Sequence, residues 1–310
     1  LPTNWQLTQG YLIGPQANLS GAALGNAPLA DANLTGADVS YAYLVGATLT
    51  NANLTGADLA SATAMGANLT GADMTSANLA NAMMSYANLN LANLTGADLG
   101  FANLSGATLT GADLTDADLT DAILTGLVNM ANANLTGADL TAANLLNANL
   151  TDANLTGATL THTSLYGTYL VGATLTNANL TGADLIFATL TDVTSGGIVG
   201  SPSTLPTNWQ LTQGYLIGPQ ANLTNAALTG ADLTDANLTG AVLTAATLTG
   251  ADVTSATLTG ANLTDVTLTD VTSGGIVGSP STLPMNWQLT QGYLIGPQAN
   301  LTNAALTGAD

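Results

Sequence analysis

The sequence predicts an all-β coiled solenoid, built from short strands that meet at a corner every five residues. Three observations support this fold. A large apolar residue recurs every five positions, Thr, Asn and Asp fill most positions between, and a residue that is usually Gly closes each unit. Successive apolar residues would step around an α-helix by about 140°, so they could never form one helical stripe. Thr, Asn, Asp and Gly are also poor helix formers.

Residues 32–36, with the sequence ANLTG, illustrate the repeated unit. In a strand, Ala32 and Leu34 point to one side, and Asn33 and Thr35 point to the other. An odd period cannot continue a two-residue alternation, so the chain must turn at Gly36. The unit therefore predicts one short strand with an apolar inner side, followed by a corner.

The repeat runs through residues 19–124, 130–190 and 223–268, and returns at Leu301 and Leu306. Its A(N/D)LxG pattern resembles the pentapeptide-repeat family. The resemblance implies a right-handed quadrilateral β-helix with four pentapeptides in each coil of roughly 20 residues, the central Leu and the preceding Ala pointing inward. Each coil would then add about 4.8 Å of height, and each buried Leu would stabilise the fold by about 1.5–3 kcal/mol.

A longer sequence repeat is superimposed on the pentapeptide repeat. Residues 1–19 recur unchanged at 205–223, and recur at 283–301 with Met285 in place of Thr. These copies predict one continuous solenoid that belongs to a longer array. Its modules are a long one at 1–204 (connector 1–18, repeats 19–193, start of the next connector 194–204), a short one at 205–282, and the start of a third at 283–310.

The connectors differ from the repeats in composition. Residues 194–220 contain several Gly and Pro residues, which mark turns. They also contain Trp209, Tyr215 and Ile217, which are too apolar for a free linker. We interpret the connector as a modified coil whose Trp and Tyr fill a wider core. The alternative is a platform for a ligand or a carbohydrate.

The register of the repeat slips once, shortly after Leu124. Residues 43–59 are identical to residues 169–185, an offset of 126 residues, which is six coils of 20 plus six. We favour the interpretation that residues 127–132 bulge from a corner, so that later faces keep their phase. The alternative is one six-residue repeat centred on Met130, which would rotate the later faces by a quarter turn.

Composition and charge exclude several functions. The chain has no Lys, Arg, Glu or Cys, one His and 19 Asp, for a net charge of −19. Nucleic-acid binding needs cations against phosphates, and thiol chemistry and disulfides need Cys. We therefore expect no nucleic-acid partner and no enzyme. No apolar run approaches the roughly 20 residues of a membrane-spanning helix, so we also expect no membrane span.

Acidic residues form the first candidate site. Residues 20 apart should stack, and the stacked Asp pairs are Asp38/Asp58, Asp98/Asp118 and Asp232/Asp252. Asp113, Asp116, Asp118 and Asp121 form the densest local group. Close carboxylates should raise one another's pKa or recruit a metal, and oxygen ligands suit Ca²⁺. The acids are scattered and lack a calcium loop, so we interpret them as solvated surface residues and predict no cofactor, with Ca²⁺ as the weaker alternative.

Outward apolar residues form the second candidate site, because aligned apolar columns mark interfaces. One face carries Tyr43, Val45, Met65, Met83 and Ile123, and the favoured bulge would add Tyr169 and Val171 to it. A second column contains Leu146, Tyr166 and Ile186, with Phe187 beside it. We interpret these columns as surfaces for lateral self-association. Drift of the repeat is the alternative.

These observations favour a structural protein, a segment of an extracellular or cell-surface fibre whose coils associate end to end and laterally. Its expected partner is another copy of itself. The family resemblance implies one alternative, an acidic rod that mimics DNA and inhibits a topoisomerase. A second alternative is an ice- or surface-binding adhesin segment, since Thr-Leu-Thr at 247–249 and 267–269 should stack in two ranks.

Overall fold

The computed structural model describes residues 1–308. The predicted fold is confirmed: the chain is a right-handed quadrilateral β-helix in which each pentapeptide forms one side of a coil. Residues 20 apart are bridged in parallel, as Asn33 is to Asn53 and Asn53 is to Asp73. Four pentapeptides therefore complete one coil.

Backbone hydrogen bonds hold each coil to its neighbours and close each corner. The Leu34 N–H donates to the Asn53 carbonyl at 2.7 Å, and the Asn53 N–H donates to the Ala32 carbonyl at 2.9 Å. At the corner the Ala37 N–H donates to the Leu34 carbonyl at 3.0 Å, while Gly36 has a φ of 62°. This is the pattern of a type II turn, which explains why Gly or Asn closes so many pentapeptides.

The core contains two kinds of side chain, the central Leu and the Ala two residues before it. Leu54 and Ala52 are both 0 % exposed, and nearly every equivalent residue is buried. One inward position usually holds the small Ala, with Val or Thr in a few coils such as those of Val128, Thr163 and Thr168, and the other usually holds a longer aliphatic chain. Stability therefore accumulates coil by coil, as in other solenoids.

The chain divides into two compact units, and each has its own stack of coils. The first unit comprises residues 1–174, 178–189 and 200–204, and the second comprises 175–177, 190–199 and 205 onward. The modules predicted from sequence remain a separate prediction, and residues 309–310 of the third module lie outside the described residues. Residues 1–308 contain no helix with the length and apolar character that a membrane crossing requires.

The longest strands lie in the connectors and form three antiparallel hairpins. Their strands are β1 Gln6–Thr8, β2 Tyr11–Ile13, β3 Gln210–Thr212, β4 Tyr215–Ile217, β5 Gln288–Thr290 and β6 Tyr293–Ile295. The pairs are β1 with β2, β3 with β4, and β5 with β6.

The second and third hairpins each enlarge one coil, because Thr194 and Thr272 are each bridged to a residue 28 positions on. Thr194 is bridged to Asn222, whereas the regular spacing would bridge it to Gly214. Trp209 and Tyr215 pack against the core of the second unit, as the modified-coil interpretation expects. Gly218 is required for this packing, because a Cβ there would lie 2.2 Å from the Trp209 ring.

The interpretation of residues 127–132 as a bulge is wrong. Ile123 is bridged to Asn144, one residue beyond the partner that the regular spacing would give it, and the bridge from Asn129 to Asn149 has the regular spacing again. One coil therefore absorbs a single extra residue, at a corner where Gly126 and Leu127 both have positive φ. Val128 and Met130 are fully buried in the positions of Ala and Leu. The six-residue repeat centred on Met130 is correct, and it shifts every later pentapeptide of the first unit to the next face.

Candidate interaction faces of the first unit

The residue before each central Leu points outward, and in the first unit these residues form four bridged columns. The first column defines what we term the acidic face. Its members are Asn18, Asp38, Asp58, Asn78, Asp98, Asp118, Asp139, Thr159 and Asn179. The stacking predicted for the Asp38/Asp58 and Asp98/Asp118 pairs is present, and Asp139 extends the second pair to three carboxylates.

Local hydrogen bonds occupy these carboxylates. Oδ1 of Asp118 accepts the N–H of Thr120 at 2.8 Å, and Oδ1 of Asp139 accepts both the N–H and the hydroxyl of Thr141. Asn78 makes the same local bond to the N–H of Ala80 and also donates to Asp58 at 3.0 Å. The outward Asp or Asn thus stabilises its own corner, which is an Asx turn.

The stacked Asp98/Asp118 pair and the dense group of Asp113, Asp116, Asp118 and Asp121 do not form one site. Asp98 and Asp118 share the acidic face, while Asp113 lies in the column of Asn93 and Asn134. Asp116 and Asp121 occupy corners, where their φ angles are positive. Within residues 1–308, no three His or Asp side chains are arranged to hold a metal ion. The absence of a cofactor stays a prediction, with Ca²⁺ binding as the weaker alternative.

The expectation that stacking raises carboxylate pKa values is wrong for Asp232, which is bridged to Asp252. The Thr234 N–H donates to Asp232 at 3.0 Å and holds the pKa of that carboxyl below its ordinary value. The Thr75 hydroxyl lowers the pKa of Asp73 in the same way. Hydrogen bonds to the ionised form therefore outweigh desolvation at Asp232.

The second column defines what we term the apolar face. Its members are Ala23, Tyr43, Thr63, Met83, Asn103, Ile123, Asn144, Ser164, Asp184 and Thr204. Beside them runs a rank made of the residues that follow each central residue, which includes Val45, Met65, Leu146, Tyr166 and Ile186. The face has one carboxylate in its column, that of Asp184, against five on the acidic face.

The six-residue repeat changes the grouping of the apolar candidates. Leu146, Tyr166 and Ile186 lie on the face of Tyr43, because Ile123 is bridged to Asn144. Tyr169 and Val171 were expected on that face and instead lie on the next one, since Tyr169 is bridged to Asn149 and belongs to the column of Thr48. The two columns predicted on separate faces are therefore one surface.

Four aromatic residues at the corners widen the apolar face, and of these only Phe187 is among the residues predicted from the sequence. Tyr41 and Phe101 occupy the corner before the face, and Tyr86 and Phe187 occupy the corner after it. All four are well exposed, with Tyr86 at 73 % and Phe187 at 69 %. The Tyr166 and Phe187 rings meet edge to face, with centroids 5.2 Å apart. All four lie two residues after a central apolar residue, and this spacing could have identified them as exposed corner residues from the sequence.

The second unit presents a different outward chemistry. Thr247 is bridged to Thr267, and the Gly250 N–H donates to the Thr269 carbonyl, so the two Thr-Leu-Thr segments stack as expected. The array covers two coils, with Ala227 before it in the column. Ice binding by this array stays a prediction.

The parallel ladder, the four faces and the buried Ala and Leu ranks define a β-solenoid repeat protein. The family model for pentapeptide repeats matches in eight copies, which together span more than two thirds of the chain. The chain therefore belongs to the pentapeptide-repeat family. The matched segments include residues 16–51, 52–90, 87–126, 129–165, 158–194, 221–260 and 233–270.

Several solved structures are similar to the chain. HetL, a pentapeptide repeat protein involved in heterocyst differentiation regulation from the cyanobacterium Nostoc sp. strain PCC 7120, is 31 % identical over 61 % of this chain and 92 % of its own, with a TM-score of 0.36. QnrB1, a plasmid-mediated fluoroquinolone resistance protein, is 19 % identical over 60 % of this chain and 92 % of its own, with a TM-score of 0.40. The comparison with curated proteins found no match.

Proposed function

We propose that the chain is a structural, non-enzymatic protein, a segment of an extracellular or cell-surface fibre that assembles end to end from stacked coils. The observation that carries this proposal is that the ladder of parallel bridges accommodates coils of different lengths. Regular coils and the coil with one extra residue are joined to the next coil by a parallel bridge on every side, and one bridge continues across each coil enlarged by a hairpin, Thr194 to Asn222 and Thr272 to Asn300. The bonds between coils use backbone groups, so a coil of a second copy can supply them as well as a coil of the same chain.

The joint that precedes each hairpin-bearing coil supports the proposal, because it occurs twice in the second unit with the same geometry. Ahead of β3 and β4, the Asn222 N–H donates to the Val193 carbonyl at 3.0 Å, and the Leu216 N–H donates to the Ser195 hydroxyl at 2.9 Å. Ahead of β5 and β6, the Asn300 N–H and the Leu294 N–H make the equivalent bonds. A hairpin-bearing coil can therefore receive another coil.

The first hairpin has the same sequence and carries the same donors. Asn18 corresponds to Asn222, and Leu12 corresponds to Leu216. Two other sides of this coil offer no free donor. The Ala23 N–H donates to the Tyr11 hydroxyl of the hairpin at 3.0 Å, and Pro28 has no N–H. Asn18 and Leu12 are therefore the donors through which this coil would receive a coil of a second copy, as Asn222 and Leu216 receive one in the second unit.

An extracellular or cell-surface location is part of the proposal. With no Lys or Arg in its sequence, the chain offers no site to trypsin-like proteases, which suits an exposed polymer. Asn and Thr dominate the remaining outward positions and need no charged partners.

Negative-stain microscopy of Asn18→Pro and Asn18→Ala variants tests end-to-end assembly. Both variants lose the bond from the Ser20 N–H to the Asn18 side chain, and only Asn18→Pro loses the backbone donor. Pro28 occupies the equivalent position on the opposite side of the same coil, so this coil accommodates Pro. We expect filaments from the wild type and Asn18→Ala, and much shorter ones from Asn18→Pro. Single particles alone at high wild-type concentration would overturn the proposal.

The acidic face supports a second candidate function, that of an acidic binding protein that mimics DNA and inhibits a topoisomerase. Five Asp residues in one column place negative charge along one side of the first unit. A gyrase supercoiling assay separates the two candidates. Inhibition by the wild type that is lost when Asp98, Asp118 and Asp139 are replaced by Asn would favour the binding protein, and unchanged supercoiling would favour the fibre.

A further inference from the structure

We propose that two copies of the chain pair side by side through the apolar face of the first unit, as a two-fold symmetric contact. The inference rests on the proposed function, because it names the surface through which assembled copies would associate laterally. The six-residue repeat is what creates this surface, since it brings the Tyr43 and Leu146 columns onto one side.

The dimensions of the face suit a protein–protein contact. Its column contains ten bridged residues, from Ala23 to Thr204. At about 4.8 Å for each of nine steps the face is roughly 40 Å tall, and the corner aromatics widen it to roughly 15–20 Å. The resulting area, on the order of 700 Å², is close to the roughly 800 Å² that each partner buries in a standard interface.

The exposed side chains have the chemistry of an interface centre. Tyr43, Met83 and Ile123 are 51 %, 47 % and 41 % exposed, in a column whose other members are Ala, Asn, Thr, Ser and Asp. Aromatic residues and Met are enriched at protein interfaces. The Tyr166 and Phe187 pair adds a ridge whose rings already contact each other.

Charge favours this face over the acidic face for a contact between two copies. The chain carries 19 Asp and no Lys or Arg, so every charge–charge contact between copies is repulsive. The acidic face would set five stacked carboxylates against five more, while the apolar face has Asp184 in its column and Asp121 at one edge. Two copies therefore approach with the least repulsion, and bury the most apolar area, through the apolar face.

Sedimentation velocity of the full chain tests the pairing with two matched double variants. Met83→Asp with Ile123→Asp places two carboxylates in the middle of the apolar face. Asn68→Asp with Asn88→Asp adds the same two charges in the Thr48 column, at the equivalent pentapeptide position. Asp already occupies this position at Asp38 and Asp58, so both variants should fold, and circular dichroism and thermal unfolding check that they do.

We expect the wild type and the Asn68/Asn88 variant to form dimers, and the Met83/Ile123 variant to dimerise at least about 100-fold more weakly, about tenfold for each added charge. Equal dimerisation of both variants, or a monomeric wild type, would overturn the pairing. Microscopy separates this failure from failure of the fibre. Filaments with equal dimerisation of both variants would overturn only the pairing, while dimers without filaments would overturn only end-to-end assembly.

Discussion

The acidic and apolar faces of the first unit share one ladder and one core, and they differ in what the outward residue does for its own corner. On the acidic face Asp118 accepts the N–H of Thr120, and Asn78 accepts that of Ala80. On the apolar face Tyr43, Met83 and Ile123 have no carboxylate or amide oxygen for that bond. The apolar face therefore gives up local stabilisation, which is the mark of a surface with another role.

The largest effect should come from the core and should be the same beneath both faces. Leu79 lies beneath the acidic face and Met84 beneath the apolar face, and both are 0 % exposed. We expect Leu79→Ala and Met84→Ala each to lower the free energy of unfolding by about 2–5 kcal/mol, because each leaves a cavity. Chemical denaturation measures both. A much smaller loss at Met84 would show that the coil is less tightly packed beneath the apolar face.

Exchanging the outward residues should shift stability in opposite directions. Asn78→Met removes the bonds to Ala80 and Asp58, so the free energy of unfolding should fall by about 1 kcal/mol. Met83→Asn introduces an acceptor for the N–H of Ser85, so unfolding should become harder by a similar amount. Chemical denaturation of the monomer measures both changes in the free energy of unfolding. Destabilisation by Met83→Asn would contradict the idea that the apolar face sacrifices local bonds.

The corners offer a comparison between two coils. Tyr41 and Ser61 occupy successive positions of one corner, and both have a φ of 56°. Tyr41→Gly and Ser61→Gly should each stabilise the monomer by up to about 1 kcal/mol, because Gly adopts positive φ without steric cost. Only Tyr41→Gly should weaken dimerisation in sedimentation experiments, since only Tyr41 adds apolar area. Equal effects on dimerisation would remove Tyr41 from the contact.

The smallest effect concerns Asp73, whose carboxylate accepts the Thr75 hydroxyl at 2.6 Å. That bond lowers the pKa of Asp73 below the ordinary value of 3.8. The bond thus contributes stability above the unfolded pKa, and that contribution is lost as the pH falls through the folded pKa. Thr75→Val should move the pKa of Asp73 back toward 3.8, and carboxyl NMR titration measures it. An unchanged pKa would assign the shift to the Thr75 N–H.

The coil and its core could be predicted from sequence because one pentapeptide dictates one side of the helix. The slip after Leu124 could not be resolved by counting, because an offset of 126 residues suits both a bulge and a longer repeat. The deciding detail is local: Val128 and Met130 are both fully buried and have the two-residue spacing of the inward Ala and Leu. The face assignments of Tyr169, Val171 and Leu146 depended on that choice.

Cross-linking across the coil that holds the extra residue tests the central claim most directly, and the chain has no native Cys to interfere. In the structure Ile123 is bridged to Asn144, and neighbouring strands about 4.8 Å apart are within the Cα range of a disulfide. Ile123→Cys with Asn144→Cys should therefore oxidise to an intramolecular disulfide, whereas Ile123→Cys with Asn149→Cys should not. The reverse result would restore the bulge, return Tyr169 to the face of Tyr43 and divide the apolar face in two.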